Sequence, residues 1–239
     1  MAAVTEIFHT GAIPQKTRLQ YWSRVANSTF GAMQIESVSS LFTGYMKRRI
    51  FRGLELVTVE STPVCVEGLS GSSHHGIFLL LNQRGSSRLQ QRGQQTLLKP
   101  GELTALYAHE PYLIESAQQH LTHILYLPGK PVEDSLEAHI AVAHPADECE
   151  LLSAFVRRLA ALDGKQPGPG NPLQTARDLV ELNWPSSRKR HSRIGTAAWK
   201  RAARRWIRRA TMRPACSTPS PPNGVTTAAS PANSNRKPI

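Results

Sequence analysis

Histidines are the side chains of this sequence that could most directly hold a catalytic metal ion. His74 and His75 are adjacent, so on a strand they point to opposite faces and only one could reach a given site. His120 and His123 are three residues apart, a spacing that suits a helix, and His109 stands alone. Two ligands on one face of a strand stand two residues apart, and no pair of these histidines has that spacing. We therefore predict no metal site and expect these histidines in turns or facing solvent.

Other catalytic groups form no recognisable arrangement. No Ser-His-Asp, Cys-His or paired-carboxylate set can be singled out, and no phosphate loop or dinucleotide fingerprint is present in the sequence. Cys65, Cys149 and Cys216 lie far apart and match no metal or redox spacing, which favours buried thiols in a reducing cytoplasm. The sequence predicts a protein that is not an enzyme and that uses no cofactor.

Side chains able to bind a small molecule occur on short alternating segments in the middle of the chain. Residues of like parity share one face of a strand, so a first candidate surface combines Phe78, Leu80 and Asn82. Arg88 on the next segment could anchor an anionic ligand, or it is a solvated hairpin residue, as most charged side chains are. The predicted ligand-binding residues are Phe78, Leu80, Asn82, Arg88, Tyr107 and Tyr112.

A scaffold of strands has to position these candidates, and residues 35–127 have the rhythm of one. Runs such as LELVTVES, IFLLLNQ and LTHILYL are separated by Gly, Pro or polar pairs, roughly every eight to twelve residues. That spacing is typical of an antiparallel sandwich or barrel. Since a closed barrel protects many short edges, we predict an α+β fold with an antiparallel β-barrel or sandwich over about 35–127.

Two turns within this region follow from single residues. The runs SRLQQR and QQTLLK flank Gly93, which predicts a hairpin. Pro100 and Gly101 suit the central positions of a type II turn, because the second of these positions needs a positive φ. Pro111 cannot donate to a strand ladder, so we expect it at an edge or at the start of the next turn.

Helical periodicity flanks the strands. Residues 14–30 carry apolar side chains at helical spacing, which predicts an N-terminal helix. Asp147 with an acidic residue three positions later predicts the N-cap of a helix over about 147–162, and an Asn-Pro pair opens another over about 172–182. These two helices could seal the barrel or form a dimer face, and an apolar stripe usually belongs to the core. The candidate dimer contacts are Leu152, Phe155, Val156 and Leu159.

Charge divides the chain into two unlike parts. Residues 1–182 hold 16 Lys and Arg against 17 Asp and Glu, whereas residues 183–239 hold 13 Lys and Arg and no acidic residue. The second part is rich in Pro, Ser, Thr and Ala, so we expect a basic, largely disordered tail. Within it, residues 194–212 either form a basic amphipathic helix for phosphate or an anionic surface, or carry a fortuitous pattern. The candidate nucleic-acid contacts there are Arg204, Arg205, Arg208 and Arg209.

Membrane and secretion signals are not found in the sequence. No apolar run approaches the roughly 20 residues that cross a bilayer. The first segment, MAAVTEIFHTGAIP, has neither a basic start nor a long apolar stretch. We therefore predict a cytoplasmic protein with no membrane span.

The order of these segments resembles the N-terminal effector-binding domain of AraC-type transcription regulators. The resemblance runs from RLQYWSRV through FTGYMKRR, GLELVTVES and IFLLLNQRGSSRLQQRGQQTLLKPGELTALYAHEPY to ILYLP. It is carried by the order of strand, small-residue turn, strand, Leu-x-Pro-Gly-Glu corner, strand and Pro-Tyr, and it covers about residues 5–182. It implies a cupin-like barrel that senses a small molecule, followed by helices that mediate dimerisation.

In that family a further segment of about 100 residues holds two helix-turn-helix units that bind promoter DNA. Only 57 residues follow Leu182 here, and no pair of recognition helices can be drawn in them. We therefore expect the DNA-reading half to be missing and hypothesise that the reading frame slips near residue 184. Translating the other two frames of the gene beyond that point tests this hypothesis, which fails without a helix-turn-helix pattern in either.

The function predicted from these observations is that of a regulator. In an intact relative, the ligand stabilises one arrangement of barrel and helices and so places the DNA-binding units. The predicted partners are a small-molecule effector and a second subunit, in a homodimer or in a mixed dimer with an intact relative; specific DNA binding by this chain is doubted. The alternatives are a cupin-like metal-dependent enzyme and a non-specific nucleic-acid binder that uses the tail.

Overall fold

Two antiparallel β-sheets packed face to face, with helices at their flanks, form the centre of the computed structural model. The predicted α+β class with an antiparallel sandwich is confirmed. The structure describes residues 4–37, 39–70, 75–129, 136–162 and 170–183. The predicted tail helix at 194–212, with Arg204, Arg205, Arg208 and Arg209, and also His74, lie outside the described residues.

The strands begin earlier in the chain than the sequence indicated, because a strand precedes the N-terminal helix. The other ten strands occupy the predicted region to within two residues at its start and one at its end. The strands are β1 (Val4–His9), β2 (Met33–Ser37), β3 (Gly44–Phe51), β4 (Leu54–Ser61), β5 (Val64–Gly68), β6 (Gly76–Arg84), β7 (Ser87–Gln91), β8 (Gln94–Leu98), β9 (Leu103–Tyr107), β10 (Tyr112–Ser116) and β11 (His120–Pro128). The helices are α1 (Arg18–Phe30), α2 (Glu150–Ala161) and α3 (Pro172–Asn183), with 3₁₀ turns at Gln15–Thr17 and Glu137–His139.

Each sheet combines strands that are distant in the sequence. The six-stranded sheet has the order β1-β3-β4-β11-β6-β9, and the five-stranded sheet has the order β2-β5-β10-β7-β8. Alternate residues of a strand face the other sheet, here called the inner face, or point away from it, the outer face. On the six-stranded sheet, Leu80 pairs with Ile124 on the inner face, and Leu79 pairs with Leu125 on the outer face.

Both predicted turns are present. Strands β7 and β8 pair as a hairpin, and its two turn residues, Arg92 and Gly93, have φ values of 50° and 77°. Positive φ at both positions is the type I′ geometry that matches the twist of a hairpin. At the second turn, Gly101 has a φ of 85°, and Glu102 donates its backbone N–H to the carbonyl of Lys99 at 3.1 Å. These local predictions are confirmed.

The two C-terminal helices differ in how well the sequence located their starts. Asn171 accepts hydrogen bonds from the backbone N–H groups of Leu173 and Gln174, so it caps α3 as predicted. Asp147 is not the N-cap of α2, because that helix begins at Glu150 and Asp147 instead accepts from the neighbouring Glu148 N–H. A local side-chain bond thus competes with the capping geometry that the Asp-x-x-Glu spacing suggested.

Helices α2 and α3 pack on the outer face of the six-stranded sheet. Leu152, Val156 and Leu159 of α2 are buried in the hydrophobic core of their own chain, and Phe155 is half-buried against it. Side chains that already fill this core cannot also contact a second subunit. The predicted dimer contacts at Leu152, Val156 and Leu159 are therefore corrected, and the apolar stripe serves to cover the sheet.

Candidate functional site

A cavity lies between the inner faces of the two sheets. Space open to the centre of a water molecule amounts to about 90 Å³, several times the roughly 10–15 Å³ that one water needs on this measure. Alternate residues of β3, β4, β6, β9 and β11 line one side, and alternate residues of β2, β5, β7, β8 and β10 line the other. The strand alternation that the sequence displayed is therefore what directs one set of side chains into a shared interior.

Helix α1 forms a third wall of the cavity. Trp22, Ala26 and Phe30 are spaced four residues apart, so they share one helical face, and all three line the cavity. The helix ends at Gly31, whose φ is 93° and whose N–H bonds the Asn27 carbonyl. The Asn27 side chain then exchanges two hydrogen bonds with the backbone of Met33, which ties the helix to the start of β2.

Two glycines allow aromatic rings to pack against the strands of the cavity wall. A Cβ at Gly44 would lie 2.8 Å from the nearest indole carbon of Trp22. A Cβ at Gly68 would lie 2.4 Å from the ring of Tyr112, its partner across β5 and β10. Real Cβ atoms do not approach so closely, so each ring position depends on the missing side chain.

Polar side chains gather at one end of the cavity. The hydroxyls of Ser87 and Ser116, paired across β7 and β10, lie 2.7 Å apart. Ser61 and His120 are partners across β4 and β11, and Thr122 is the next inward residue of β11. The remaining lining residues are hydrophobic or aromatic. The interior is thus an apolar chamber with a cluster of hydroxyl and imidazole groups at one end, here called the polar end.

Burial holds the two histidines of β11 in the neutral form. His120 faces the cavity, and desolvation lowers its pKa to about 4 against smaller opposing effects of the Gln118 backbone and the Glu60 carboxylate. His123 faces outward, where its Nδ1 lies 3.0 Å from the Thr58 hydroxyl. Desolvation, with the nearby guanidinium groups of Arg49 and Arg157, lowers the pKa of His123 to about 4.

The histidine prediction is therefore corrected for both residues. His120 and His123 were expected in turns or facing solvent, but both side chains are buried on a strand. Their spacing of three places them on opposite faces of β11, so they cannot share a ligand. Among the described residues, no group of three or more His, Cys, Asp or Glu side chains is arranged to hold a metal ion.

The structure brings together three of the six predicted ligand-binding residues. Phe78 and Leu80 line the cavity from β6, and Tyr112 lines it from β10, where burial raises its pKa and keeps the phenol protonated. Asn82 is on the same face of β6, but its buried side chain does not line the cavity. Its side chain accepts a hydrogen bond from Thr122 Oγ1 at 3.2 Å and donates to the Gly85 carbonyl, so it supports the polar end.

Tyr107 and Arg88 lie outside the cavity. Tyr107 points to the outer face of the six-stranded sheet, where the guanidinium carbon of Arg92 lies 4.1 Å from the centre of its ring. Arg88 is exposed on the outer face of β7, whereas its neighbour Leu89 is fully buried and lines the cavity. Arg88 therefore does not line the cavity, and its role as an anion anchor stays a prediction.

Several lining residues were not predicted as site residues, although the sequence held a signal for them. The α1 residues belong to the apolar helical stripe that predicted the helix, and nothing local showed that this stripe faces a cavity. At the polar end, the alternation of His120, Thr122 and Ile124 within HLTHILYL marks one face of a strand. Identifying that face as the inner one requires the second sheet.

Comparison with known proteins gives a family and a fold. The sequence profile of the AraC-binding-like domain matches residues 22–183. The crystal structure of the AraC-like transcriptional activator CuxR superposes with a TM-score of 0.64 at 17% identity, covering 90% of this chain and 81% of that chain. No curated protein sequence matches the chain. Among the described residues, no helix is long and apolar enough to span a bilayer.

Small cupin structures match part of the chain. The Cupin_2 domain of an XRE family regulator from Enterobacter cloacae has a TM-score of 0.30 at 13% identity, over 41% of this chain and 99% of that chain. A cupin-like protein from Thermotoga maritima has a TM-score of 0.30 at 16% identity, over 38% of this chain and 69% of that chain. Structural similarities this low do not indicate the function of this chain.

Proposed function

The chain belongs to the AraC-binding-like domain family, and we propose that residues 4–183 sense a small-molecule effector in the cavity between the two sheets. The observation that carries this proposal is the cavity itself, since well-packed interiors leave few voids larger than a water molecule. Apolar pockets with a few convergent polar groups are the usual form of small-molecule sites. The domain acts as a regulatory sensor and not as an enzyme.

The six-stranded sheet is suited to transmit occupancy of the cavity, because it is shared by the cavity and the helices. Met46 of β3 lines the cavity, and three residues later Arg49 points to the opposite face. There its guanidinium donates hydrogen bonds to the backbone carbonyls of Ala160 and Leu162 at the end of α2. A cation satisfies the unpaired carbonyls of a helix C-terminus and interacts favourably with its dipole.

We propose that the ligand acts by shifting a population of conformers. A ligand changes this equilibrium only through contacts that differ between the two arrangements of sheet and helices. Rearrangement of β3 around a ligand would move Arg49 and with it the end of α2. In a regulator that carries DNA-binding units, we propose that this movement sets the placement of those units and of a second subunit. The large apolar side chains that α2 leaves at least partly accessible for such a partner are Leu151 and Phe155.

A thermal-shift screen tests the proposal on the full chain. A ligand at 100 times its Kd stabilises the folded state by about 2.7 kcal/mol, which raises the Tm of a domain of this size by roughly 5–10 °C. The matched variant is Ala26→Phe, which places a ring in the cavity from α1. Compounds that raise the Tm of the wild type but not of the variant support the proposal. A screen in which every active compound also stabilises Ala26→Phe would contradict it.

A further inference from the structure

The lining of the cavity limits the charge of any ligand. None of the described residues that line it is Asp, Glu, Lys or Arg. Its titratable members, Tyr112 and His120, are both uncharged at neutral pH. An ion moved from water into such a site loses its hydration without gaining a counter-charge, and the penalty for an unpaired buried charge is large. The cavity therefore discriminates strongly against charged molecules.

The hydrogen-bonding capacity of the polar end can be counted group by group. Ser61 donates its hydroxyl proton to the Thr62 carbonyl at 3.0 Å, and Thr122 donates to Asn82 Oδ1, so both have only acceptor capacity left. Ser87 and Ser116 share one hydrogen bond, which leaves the pair one free proton to donate. The polar end thus offers mainly acceptors and one hydroxyl donor.

The neutral imidazole of His120, which also interacts with the Gln118 backbone, adds a further ring nitrogen to this set. Its Nδ1 has no hydrogen-bond partner of normal geometry among the described residues, although the side chain is buried. Buried polar groups without a partner are uncommon in folded proteins. A ligand group that both donates and accepts would complete the hydrogen bonding at this end.

We infer that the cavity binds a neutral molecule with a mainly apolar body and one hydroxyl or amide group, directed at Ser61, Ser87, Ser116, His120 and Thr122. This inference rests on the proposed sensing function and adds the chemical class of the ligand. The apolar body contacts the rings of α1 and the branched side chains of the strands. The hydroxyl or amide of the ligand donates a hydrogen bond to the free acceptors. It also accepts a hydrogen bond from the remaining free O–H of the serine pair.

A matched series of probes on one carbon skeleton tests this class at pH 7. The probes are cyclohexylmethanol, cyclohexanecarboxamide, methylcyclohexane, cyclohexanecarboxylate and cyclohexylmethylammonium, with binding to the full chain followed by ligand-observed NMR and calorimetry. We expect the alcohol and the amide to bind, and the two ions to bind at least about 100-fold more weakly. The carboxylate should gain about tenfold in affinity per unit as pH falls towards its own pKa, because only its neutral form enters.

Two sets of variants assign the binding to the cavity and to its polar end. Ala26→Phe should remove binding of all the neutral probes. The double change Ser87→Ala with Ser116→Ala should weaken the alcohol about five- to tenfold and change methylcyclohexane less than about twofold. Ser86→Ala is the matched control, since Ser86 precedes Ser87 in the chain and does not line the cavity. This control should bind all probes as the wild type does.

The outcomes separate the two levels of the proposal. An ion that binds as tightly as the alcohol, and loses binding in Ala26→Phe, overturns the ligand class while the sensing function stands. An alcohol that binds no more tightly than methylcyclohexane, or is unaffected by the serine changes, overturns the assigned polar end. If no probe binds in a way that Ala26→Phe abolishes, the sensing function in this cavity is itself contradicted.

Discussion

The two faces of the six-stranded sheet differ in what lies against them. On the outer face, Leu56, Leu79 and Leu125 are at most 1% exposed and pack into the core beneath α2 and α3. On the inner face, Phe78 and His120 border the cavity instead. The same strands supply both sets, since neighbouring residues of a strand point in opposite directions.

Under the proposed function, this difference separates the residues that stabilise the domain from the residues that bind the ligand within one sheet. Close packing on the outer face supplies the dispersion and hydrophobic terms that hold the domain together. The inner face forgoes some of these contacts and retains space that a ligand can fill. Substitutions on the outer face should therefore mainly reduce folding stability, and substitutions on the inner face should mainly reduce ligand binding. Four measurements test this comparison.

The largest difference is expected between two neighbouring leucines of β6. Leu79→Ala removes a side chain from the packed outer face and should cost about 3–5 kcal/mol of unfolding free energy. Leu80→Ala enlarges a cavity that already exists and should cost about 1–2 kcal/mol, because fewer neighbours lose contact. Urea denaturation at a common m-value measures both. Equal losses at the two positions would remove the distinction between the faces.

The link between the sheet and α2 gives the next effect. Arg49→Met leaves the carbonyls of Ala160 and Leu162 unpaired and should destabilise the domain by about 2–4 kcal/mol. The control is Arg52→Met, because Arg52 makes one exposed bond to the Gly170 carbonyl and should cost less than about 1 kcal/mol. Denaturation by urea gives both values. A loss at Arg49 no larger than at Arg52 would show that this link adds nothing to stability.

Acidification tests the histidines on the two faces of β11. An ordinary histidine titrates near 6.5 in the unfolded chain, whereas burial lowers the pKa of His120 and of His123 to about 4 in the folded protein. The unfolded state therefore binds more protons between these values. Each histidine contributes stability that is complete above about pH 6.5 and is lost as pH falls towards 4, by about 1–3 kcal/mol.

The measurement is denaturation across this pH range, together with NMR titration of the two imidazole rings. His120→Gln and His123→Gln should each flatten the loss of stability on acidification. Saturation with a ligand in the cavity should lower the NMR midpoint of His120 further and leave that of His123 in place. Midpoints near 6.5 for both rings in the folded protein would contradict the assigned burial.

The smallest effect tests how the cavity wall is assembled. Gly68→Ala places a Cβ against the ring of Tyr112 and should cost about 1–2 kcal/mol while shifting the ring. In a Tyr112→Ala background the same change should cost less than about 0.5 kcal/mol, since the obstructing ring is gone. A double-mutant cycle by urea denaturation gives this coupling. Additive losses would mean that Gly68 serves another purpose.

Local features of the fold could be predicted from the sequence because short-range chemistry decides them. Gly93 and Gly101 occupy positive-φ turn positions, and Asn171 caps a helix, whichever residues surround them. The strand rhythm over 35–127 likewise predicted a sandwich. Asp147 shows the limit of such local predictions. Its spacing to Glu150 suggests a helix cap, but its side chain instead accepts a hydrogen bond from the Glu148 N–H.

Candidate site residues were harder to predict, as β7 illustrates. The alternation of β7 places Arg88 and Leu89 on opposite faces, and the sequence predicts the polar face as the ligand-binding one. The structure turns Leu89 inward and leaves Arg88 in solvent. Leu152, Val156 and Leu159 repeat the lesson, because an apolar stripe that covers a sheet has the same sequence pattern as one that contacts a partner.

The sequence by itself determined the strand region that follows α1, most of the turns and helices, and which residues share a face. Only the tertiary structure decided which face turns inward, that α1 closes one side of a cavity, and that Ser61, Ser87, Ser116 and His120 meet at one end. The physical reason is the distance along the sequence over which the deciding interactions act. Backbone conformation follows from neighbours a few residues away, whereas an interior exists only when strands from distant parts of the chain face one another.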